Sequence, residues 1–249
     1  MLYSLPVIQE QARLVAGNSK LGSGIYVWSL PAALTCPGRT ELCTKLCYAL
    51  KHRFATATYL WHVMVNWLLA CTPLFAVWMT RRLLATRVAV VRIHVSGDFF
   101  SAAYVRQWIR IVEALPLVSF YAYTRSWRAT DPALRDALKT LSQMPNVQLW
   151  YSVDKESKCP TLTDEERRVR LAYLSTAEDD VAEGVDLVFR DYPARGVVHK
   201  YQKGALVCPE ENGTGVHVSC SNCGVCWKPP VANAKRTRRT SSDITLQAK

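Results

Sequence analysis

The hydrophobic and polar positions in the middle of the chain follow two recurring patterns. Short β-branched runs such as VAVVRIHV have the character of buried strands, whereas SAAYVRQWIRIVEAL spaces its apolar residues as a helix does. The inner face of that helix is predicted to contain Tyr104, Val105, Trp108, Ile109, Val112 and Leu115. Because strand and helix then alternate, we expect parallel strands joined by helical crossovers.

The same patterns predict the other elements of the domain. The strands are predicted at GIYVWSL, VAVVRIHV, VSFYAYT, NVQLWYSVD, VRLAYLS and VDLVFRD. Asp131 and Pro132 are typical of a helix start, and the stretch from Glu178 to Glu183 is also predicted to be helical. We therefore predict an α/β fold, a partial parallel (β/α) barrel of about six strands with a Cys-rich C-terminal extension; an open doubly wound sheet is the alternative.

One uncharged segment, YLWHVMVNWLLACTPLFAVWM at 59–79, has the length of a membrane span. His62 and Asn66 interrupt its apolar character, and Pro73 fits the first position of a new helix capped by Thr72. We therefore predict two consecutive buried helices and no membrane partner.

Length and composition suit one main domain with appendages. The chain has 249 residues, of which 49% are apolar and 20% are charged. We expect a barrel domain at 1–205, a Cys-rich extension at 206–228 and a disordered basic tail at 229–249. The N-terminal residues show no secretion signal, so we expect a reducing cytoplasm, where nine cysteines indicate metal before disulfides.

Positive charge is concentrated in the tail. The formal net charge is +11, and the residues from Lys228 onward contribute six Lys or Arg against one Asp. The run KRTRR is suited to nucleic acid phosphates, although a solvated tail that aids solubility explains it equally well. The sequence makes no prediction of oligomeric state.

Polar side chains follow four of the predicted strands. They are Ser96, Gly97 and Asp98, then Thr124, Arg125 and Ser126, then Ser152 and Asp154, and finally Arg190 and Asp191. Because ligands bind at the carboxyl ends of parallel strands, these residues predict the rim of one site. The alternative is that they are helix caps and turn residues, which for Ser126 and Ser152 is an equally good reading.

Three cysteines lie in the stretch CPGRTELCTKLCYA, directly after the first predicted strand. Thiolates from Cys36, Cys43 and Cys47 can bind three irons of a [4Fe–4S] cluster and leave the fourth iron open to a ligand. Zinc would need a fourth donor, for which His52 is the nearest candidate, and the first cysteine gap is longer than zinc sites usually have. Disulfide bonds are the least expected explanation for these three cysteines.

A second cysteine group lies near the C-terminus. The run CSNCGVCW contains Cys220, Cys223 and Cys226 at ferredoxin-like spacing, and Cys208 could be the fourth ligand of a closed cluster. Zinc is the alternative at this site. Cys71 is predicted to be a small core residue, and Cys159 has no evident partner.

Five segments that extend to Trp227 carry a resemblance to a known family. They are GNSKLGSGIYVWSLPAALTCPGRTELCTKLCYA, RIHVSGDFFSAAYVRQW, FYAYTRSW, LWYSVD and CSNCGVCW. In this order they resemble the phage and plasmid "gene product 88" proteins. The layout of those proteins is in turn similar to that of radical S-adenosylmethionine enzymes.

The resemblance implies a role for each loop residue. Cys36, Cys43 and Cys47 would hold the cluster, with Tyr48 packed beside it. The cysteine gaps here are six and three residues, whereas the enzyme superfamily has three and two. If the protein is phage-encoded, its location would be the cytoplasm of the host cell.

The resemblance also implies a cofactor site at the rim. Ser96, Gly97 and Asp98 would contact the amino group of S-adenosylmethionine, and Arg125 would pair with its carboxylate, so Asp98 and Arg125 are the candidate catalytic residues. Ser152 and Asp154 complete the predicted rim. We therefore expect an iron–sulfur protein that acts on a nucleotide or nucleic acid. The alternative is a non-enzymatic iron–sulfur or zinc protein that binds nucleic acid.

Overall fold

The computed structural model describes residues 4–191, 201–211 and 218–228, and within these ranges nine strands form one sheet. The strands are β1 (Val15–Ala16), β2 (Ile25–Trp28), β3 (Val90–Ile93), β4 (Ser119–Thr124), β5 (Val147–Val153), β6 (Arg170–Ser175), β7 (Leu187–Arg190), β8 (Tyr201–Gln202) and β9 (Ala205–Val207). The α-helices are α1 (Leu5–Gln11), α2 (Glu41–Leu46), α3 (Ala57–Ala70), α4 (Phe75–Thr86), α5 (Ala102–Ala114), α6 (Pro132–Gln143) and α7 (Cys220–Cys223). Four 3-10 helices cover Tyr48–Leu50, His52–Ala55, Ser126–Arg128 and Asp164–Glu166.

The sheet is mostly parallel, and its strands follow the order of the chain. The spatial order is β1-β2-β3-β4-β5-β6-β7-β9-β8, in which β2 to β7 and β9 are parallel while β1 and β8 pair antiparallel at the two ends. The α/β prediction is thus confirmed, and all six predicted strands are present as β2 to β7. A closed barrel is not formed, because within the described residues β1 and β8 remain at open edges.

The two faces of the sheet are covered by different parts of the chain. Side chains alternate along each strand, so Trp28 and Phe120 point into the large core beneath the helices. On the opposite face, Val27 and Tyr121 contact residues of the C-terminal cysteine segment, including Cys226. The cysteine extension is therefore packed against the sheet.

Two predicted helices begin as their sequences indicate. Ser101 caps α5 by accepting a hydrogen bond from the Tyr104 amide, and Asp131 caps α6 by accepting one from the Ala133 amide at 2.9 Å. All the residues predicted on the inner face of α5 are buried except Ile109, which is partly buried.

The helix predicted between Glu178 and Glu183 is wrong. The segment forms turns because the carboxylate of Asp180 accepts hydrogen bonds from Tyr173 Oη at 2.6 Å and from the Thr176 amide at 2.9 Å. Short polar side chains that bond to nearby backbone amides compete with helix formation in this way.

The apolar segment at 59–79 forms parts of two helices with a break at 71–74, which confirms the predicted interruption at Thr72–Pro73, but the predicted cap and start of the second helix are wrong. Helix α4 begins at Phe75, and Thr72 does not cap it, because the Thr72 hydroxyl donates to the Leu69 carbonyl at 2.8 Å. Each helix buries one side only. The exposed apolar residues of the pair are Leu60, Trp61, Met64, Leu68, Leu74, Val77 and Leu84.

Neither helix alone could span a bilayer, and the same holds for every other helix in the described part of the chain. Taken together, α3 and α4 meet the criteria of length and composition, with an angle of 119° between them. Cys71, predicted to be a core residue, is exposed, because it follows the end of α3 and lies at the bend.

Candidate metal and cofactor site

The loop from Cys36 to Cys47 packs against the carboxyl end of β4. A methyl group added at Gly38 would lie 1.7 Å from the Arg125 carbonyl oxygen, so the two backbones are in direct contact. The Arg128 guanidinium donates to the Gly38 carbonyl at 2.9 Å. The loop is therefore fixed at the edge of the sheet where the sequence predicts a ligand site.

The same loop is also tied to the end of β5. Thr40 caps α2 by accepting a hydrogen bond from the Cys43 amide at 2.9 Å, and its hydroxyl donates to Asp154 Oδ2 at 2.8 Å. The Leu42 amide donates to Glu156 Oε2 at 2.9 Å. The first turn of α2, and Cys43 with it, thus has a defined position relative to the sheet.

The three thiols of the loop share one environment. All three are free and half-buried. Burial, together with the nearby charge of Asp98, raises the pKa of Cys36 to about 12, and Cys43 and Cys47 contribute to the same shift. Burial also raises the pKa of Cys43, against the opposing charge of Arg125. A metal centre here would have to displace these protons.

Asp98 is buried at the end of β3 and joins it to β4. Its carboxylate accepts hydrogen bonds from Thr124 Oγ1 at 2.6 Å, from the Arg125 amide at 2.8 Å and from the Phe99 amide at 2.7 Å. Burial raises the pKa of Asp98 to about 6 despite these bonds. Both carboxylate oxygens are therefore already engaged within the protein.

Arg125 pairs with Asp154 across the ends of β4 and β5. Arg125 Nη1 lies 2.7 Å from Asp154 Oδ2, and both side chains are buried. Burial alone would raise the pKa of Asp154, but Arg125 and the hydrogen bonds from Thr40, Ser157 and Glu156 bring it below the ordinary value. Arg125 Nη1 is itself buried, so the guanidinium is paired with a carboxylate inside the protein.

The Ser96–Gly97 turn packs tightly onto the loop that follows β2. Gly97 has a φ of +75°, and a methyl group there would lie 2.6 Å from Thr35 Oγ1. Ser96 Oγ donates to the Leu30 carbonyl at 2.8 Å and lies 2.5 Å from Tyr59 Oη. The Ser96 side chain is thus buried against its neighbours, and glycine is required beside it.

Two further residues predicted at the cofactor site occupy the edge of this region. Tyr48 is half-exposed, and its hydroxyl donates to the Val95 carbonyl, which places it beside the end of β3. Ser152 lies near the end of β5, and its carbonyl accepts a hydrogen bond from Trp127 Nε1 at 3.2 Å. Tyr48 therefore adds a side-chain link to the sheet beside the one that Thr40 makes with Asp154.

The second cysteine group surrounds a small cavity on the face of the sheet opposite α3 to α6. All four cysteines predicted there line this one cavity of about 20 Å³, and all four thiols are free. They are Cys208, Cys220, Cys223 and Cys226. Cys208, which is distant in sequence, is brought to the other three because it directly follows β9.

The cysteine segment is held in place by hydrogen bonds with the loop between β1 and β2 and with β5 and β6. The Cys220 amide donates to the Lys20 carbonyl at 2.8 Å. Trp150 Nε1 donates to the Cys226 carbonyl, and the Arg170 guanidinium donates to the Val225 carbonyl, each at 2.9 Å. The cavity is therefore part of the folded core.

One group of possible metal ligands in the described part of the chain lies close together. The Cys208 sulfur and carboxylate oxygens of Glu210 and Glu211 all lie within 4.8 Å of one another. Both carboxylates pair with Lys20, at 2.6 and 2.8 Å, so their charge is already compensated.

Comparison with known proteins identifies the family. The family model described as Gene product 88 matches residues 7–229. The chain belongs to the gene product 88 family. Within this family it is 30% identical over 235 residues to the Gene 88 protein of Mycobacterium phage L5, with 84% of this chain and 85% of the relative covered. It is 28% identical over 232 residues to the Gene 88 protein of Mycobacterium phage D29, with the same coverage. No solved structure matches the chain.

The part matched by the gene product 88 family contains both cysteine groups. The basic tail lies outside the described residues, as does the side chain of His52, the candidate zinc ligand. Cys159 is exposed.

Some residues of the site were missed by the sequence reading. Thr40 could have been found, because Thr–Glu before an apolar helical turn is a capping pattern. Arg92 could also have been noticed, since it is a charged residue inside the buried strand β3. The hydrogen bond from Tyr123 Oη to Cys226 Sγ at 2.9 Å has no signal in the sequence.

Proposed function

We propose that this protein is an iron–sulfur protein with an open [4Fe–4S] cluster on the loop and a closed cluster in the C-terminal cavity, and that it acts on a nucleotide or nucleic acid in the manner of radical S-adenosylmethionine enzymes. The observation that carries the proposal is the position of three free thiols on one loop packed against the carboxyl ends of β4 and β5. The sequential strand order is compatible with the partial barrel that such enzymes have.

The loop supplies three thiolates from Cys36, Cys43 and Cys47, so a four-iron cluster there keeps one iron for a ligand. When S-adenosylmethionine binds to such an iron, the reduced cluster supplies the electron that cleaves the sulfonium. The contribution of the protein is to orient the ligand and exclude water. Arg125 at this rim would pair with a ligand carboxylate in exchange for Asp154.

The C-terminal cavity supports a second, closed cluster. Its four thiols satisfy all four irons, so it would transfer electrons or hold the segment in place without binding a ligand. Zinc is the alternative occupant of this site.

A non-enzymatic protein that binds metal and nucleic acid is the second candidate. It is favoured by the pairing of the rim charges: both oxygens of Asp98 accept internal hydrogen bonds, and Arg125 faces Asp154. On this reading the clusters stabilise the fold, and the basic tail contacts phosphates.

Electron paramagnetic resonance of the reduced protein separates the two candidates. We expect S-adenosylmethionine to change the spectrum of the wild-type chain and of a Cys220/Cys223/Cys226→Ser variant, because both keep the open iron. A Cys36/Cys43/Cys47→Ser variant should give a spectrum that does not respond. An unchanged wild-type spectrum in fully iron-loaded protein would reject the radical enzyme and leave the second candidate.

A further inference from the structure

Arg92 projects from the middle of β3 onto the face of the sheet that the C-terminal cysteine segment covers. In register it lies between Val27 of β2 and Tyr121 of β4, both of which contact the C-terminal cysteine segment. Arg92 Nε donates to the His94 carbonyl at 3.2 Å, and the guanidinium carbon lies 5.6 Å from the centroid of the Tyr123 ring. The charge is thus held between the sheet and the cysteine cavity.

No carboxylate neutralises this charge. Within the described part of the chain, Arg92 has no Asp or Glu oxygen within 4.0 Å, whereas Arg125 and Lys20 each have one or more. A guanidinium that is largely removed from water is costly unless an anion or a set of acceptors compensates it. The position of Arg92 therefore calls for a negative partner on this face.

Tyr123 connects this charge to the cysteine group. The guanidinium lies over the Tyr123 ring, and the Tyr123 hydroxyl donates a hydrogen bond to Cys226 Sγ at 2.9 Å. Cys220 and Cys226 pack against the same face of the sheet. Burial lowers the pKa of the adjacent His94 to about 3, so His94 adds no second positive charge.

We propose that Arg92 is the counter-cation of the C-terminal cysteine centre and that Tyr123 donates a hydrogen bond to its Cys226 thiolate. Both act as positioning residues, through charge and hydrogen bonding rather than as metal ligands. The identity of the metal rests on the function proposed above, but the charge argument applies to any cation bound by these thiolates.

This arrangement has a consequence for redox behaviour. The potential of a cluster depends on its net charge and on hydrogen bonds to its sulfurs. Reduction adds negative charge, which Arg92 stabilises more strongly than it stabilises the oxidised state. Removing the positive charge should therefore lower the reduction potential of the C-terminal cluster.

The first test uses Co²⁺ as the probe, in full-length protein whose Cys36, Cys43 and Cys47 are serine, so that thiolate-to-cobalt absorption reports on the C-terminal centre. Arg92→Gln should weaken Co²⁺ binding about ten- to a hundredfold, the effect of losing one charge-assisted interaction. Arg92→Lys keeps the charge and should bind within about threefold of the parent. Arg110→Gln, an exposed change on α5, is the matched control and should bind as the parent does.

The second test uses iron-loaded wild-type and Arg92→Gln proteins. At a fixed potential, the ratio of reduced to oxidised C-terminal cluster should be about tenfold lower in Arg92→Gln than in wild type. This corresponds to a reduction potential that is lower by about 59 mV for a one-electron couple. Tyr123→Phe should also lower the reduction potential of the C-terminal cluster.

The results separate this inference from the proposed function. Co²⁺ binding within twofold of the parent in Arg92→Gln would overturn the inference, and so would equal losses in Arg92→Gln and Arg92→Lys, because shape rather than charge would then explain them. An unchanged potential in iron-loaded Arg92→Gln would also overturn it, with the clusters intact. Zinc without sulfide in the wild-type chain would instead reject the clusters, while the Co²⁺ comparison would still decide the role of Arg92.

Discussion

Replacing Gly38 by alanine should separate the cysteine loop from the sheet. The added methyl carbon would lie 1.7 Å from the Arg125 carbonyl oxygen and 2.4 Å from its carbon, and both are backbone atoms. Real contacts of this kind are essentially never closer than 3.0 Å, so the two segments must move apart by at least 3.0 − 1.7 = 1.3 Å.

A movement of this size breaks the bonds that fix the loop. The Arg128–Gly38 hydrogen bond of 2.9 Å would lengthen to about 4.2 Å, beyond hydrogen-bonding distance, and the Thr40–Asp154 bond lies on the same loop. Each is a charge-assisted bond that contributes about 1.5–3 kcal/mol. Because contributions from one loop are not additive, we expect the free energy of unfolding to fall by about 2–4 kcal/mol.

Urea unfolding and iron analysis together test this prediction. Gly38→Ala should lose the iron of the loop cluster, about half of the total, and keep the iron of the C-terminal cavity. Gly24→Ala is the matched control, because a methyl group at Gly24 meets nothing within 4 Å. If Gly38→Ala unfolds within about 0.5 kcal/mol of wild type and keeps all its iron, the contact between loop and strand described above is wrong.

Two further predictions concern the charged rim of the site. Arg125→Met should lower the free energy of unfolding by about 3–5 kcal/mol, because it leaves Asp154 buried without its partner. Adding Asp154→Asn should recover part of that loss. A double variant whose loss equals the sum of the two single losses would argue against the Arg125–Asp154 ion pair. The raised pKa of Asp98, about 6, means that its contribution to stability is complete below about pH 4 and is lost as the pH rises through 6. At about 1.36 kcal/mol per pH unit between pH 3.8 and pH 6, the free energy of unfolding falls by about 3 kcal/mol. Asp98→Asn in the metal-free protein should remove this pH dependence in urea unfolding, and an equal slope in both proteins would contradict it.

The main strands were predictable because their pattern is local. Each of β2 to β7 is an apolar or β-branched run long enough to be recognised by composition alone. The strands β1, β8 and β9 contain two or three residues each, and they exist because a neighbouring strand offers unpaired backbone groups. Such strands depend on tertiary pairing, which no local pattern reveals.

Helix boundaries depended on individual hydrogen bonds. Helix α4 begins at Phe75 rather than at Pro73, and the Thr72 hydroxyl bonds backward to the Leu69 carbonyl instead of capping the next helix. The acidic stretch near Asp180 satisfies the helix pattern, yet its carboxylate bonds to Tyr173 and Thr176. In both places a polar side chain has more than one possible hydrogen-bond partner. In the folded protein it bonds to a partner that does not support the predicted helix.

The sequence predicted where the rim residues lie, but it did not predict which of them bond to each other. Polar residues after consecutive parallel strands must lie at one edge of the sheet, and the structure brings Asp98, Arg125 and Asp154 together there. That Asp98 would accept backbone hydrogen bonds while Arg125 turned to Asp154 depends on strand register. The same holds for Arg92, whose relation to Cys226 exists only once the C-terminal segment has packed on the sheet.

The central claim is that the two cysteine groups hold iron–sulfur clusters, and analysis of iron and acid-labile sulfide in anaerobically prepared full-length protein tests it most directly. Two [4Fe–4S] clusters predict about eight irons and about eight sulfides per chain, with a broad thiolate-to-iron absorption band. Stoichiometric zinc without sulfide would contradict the claim.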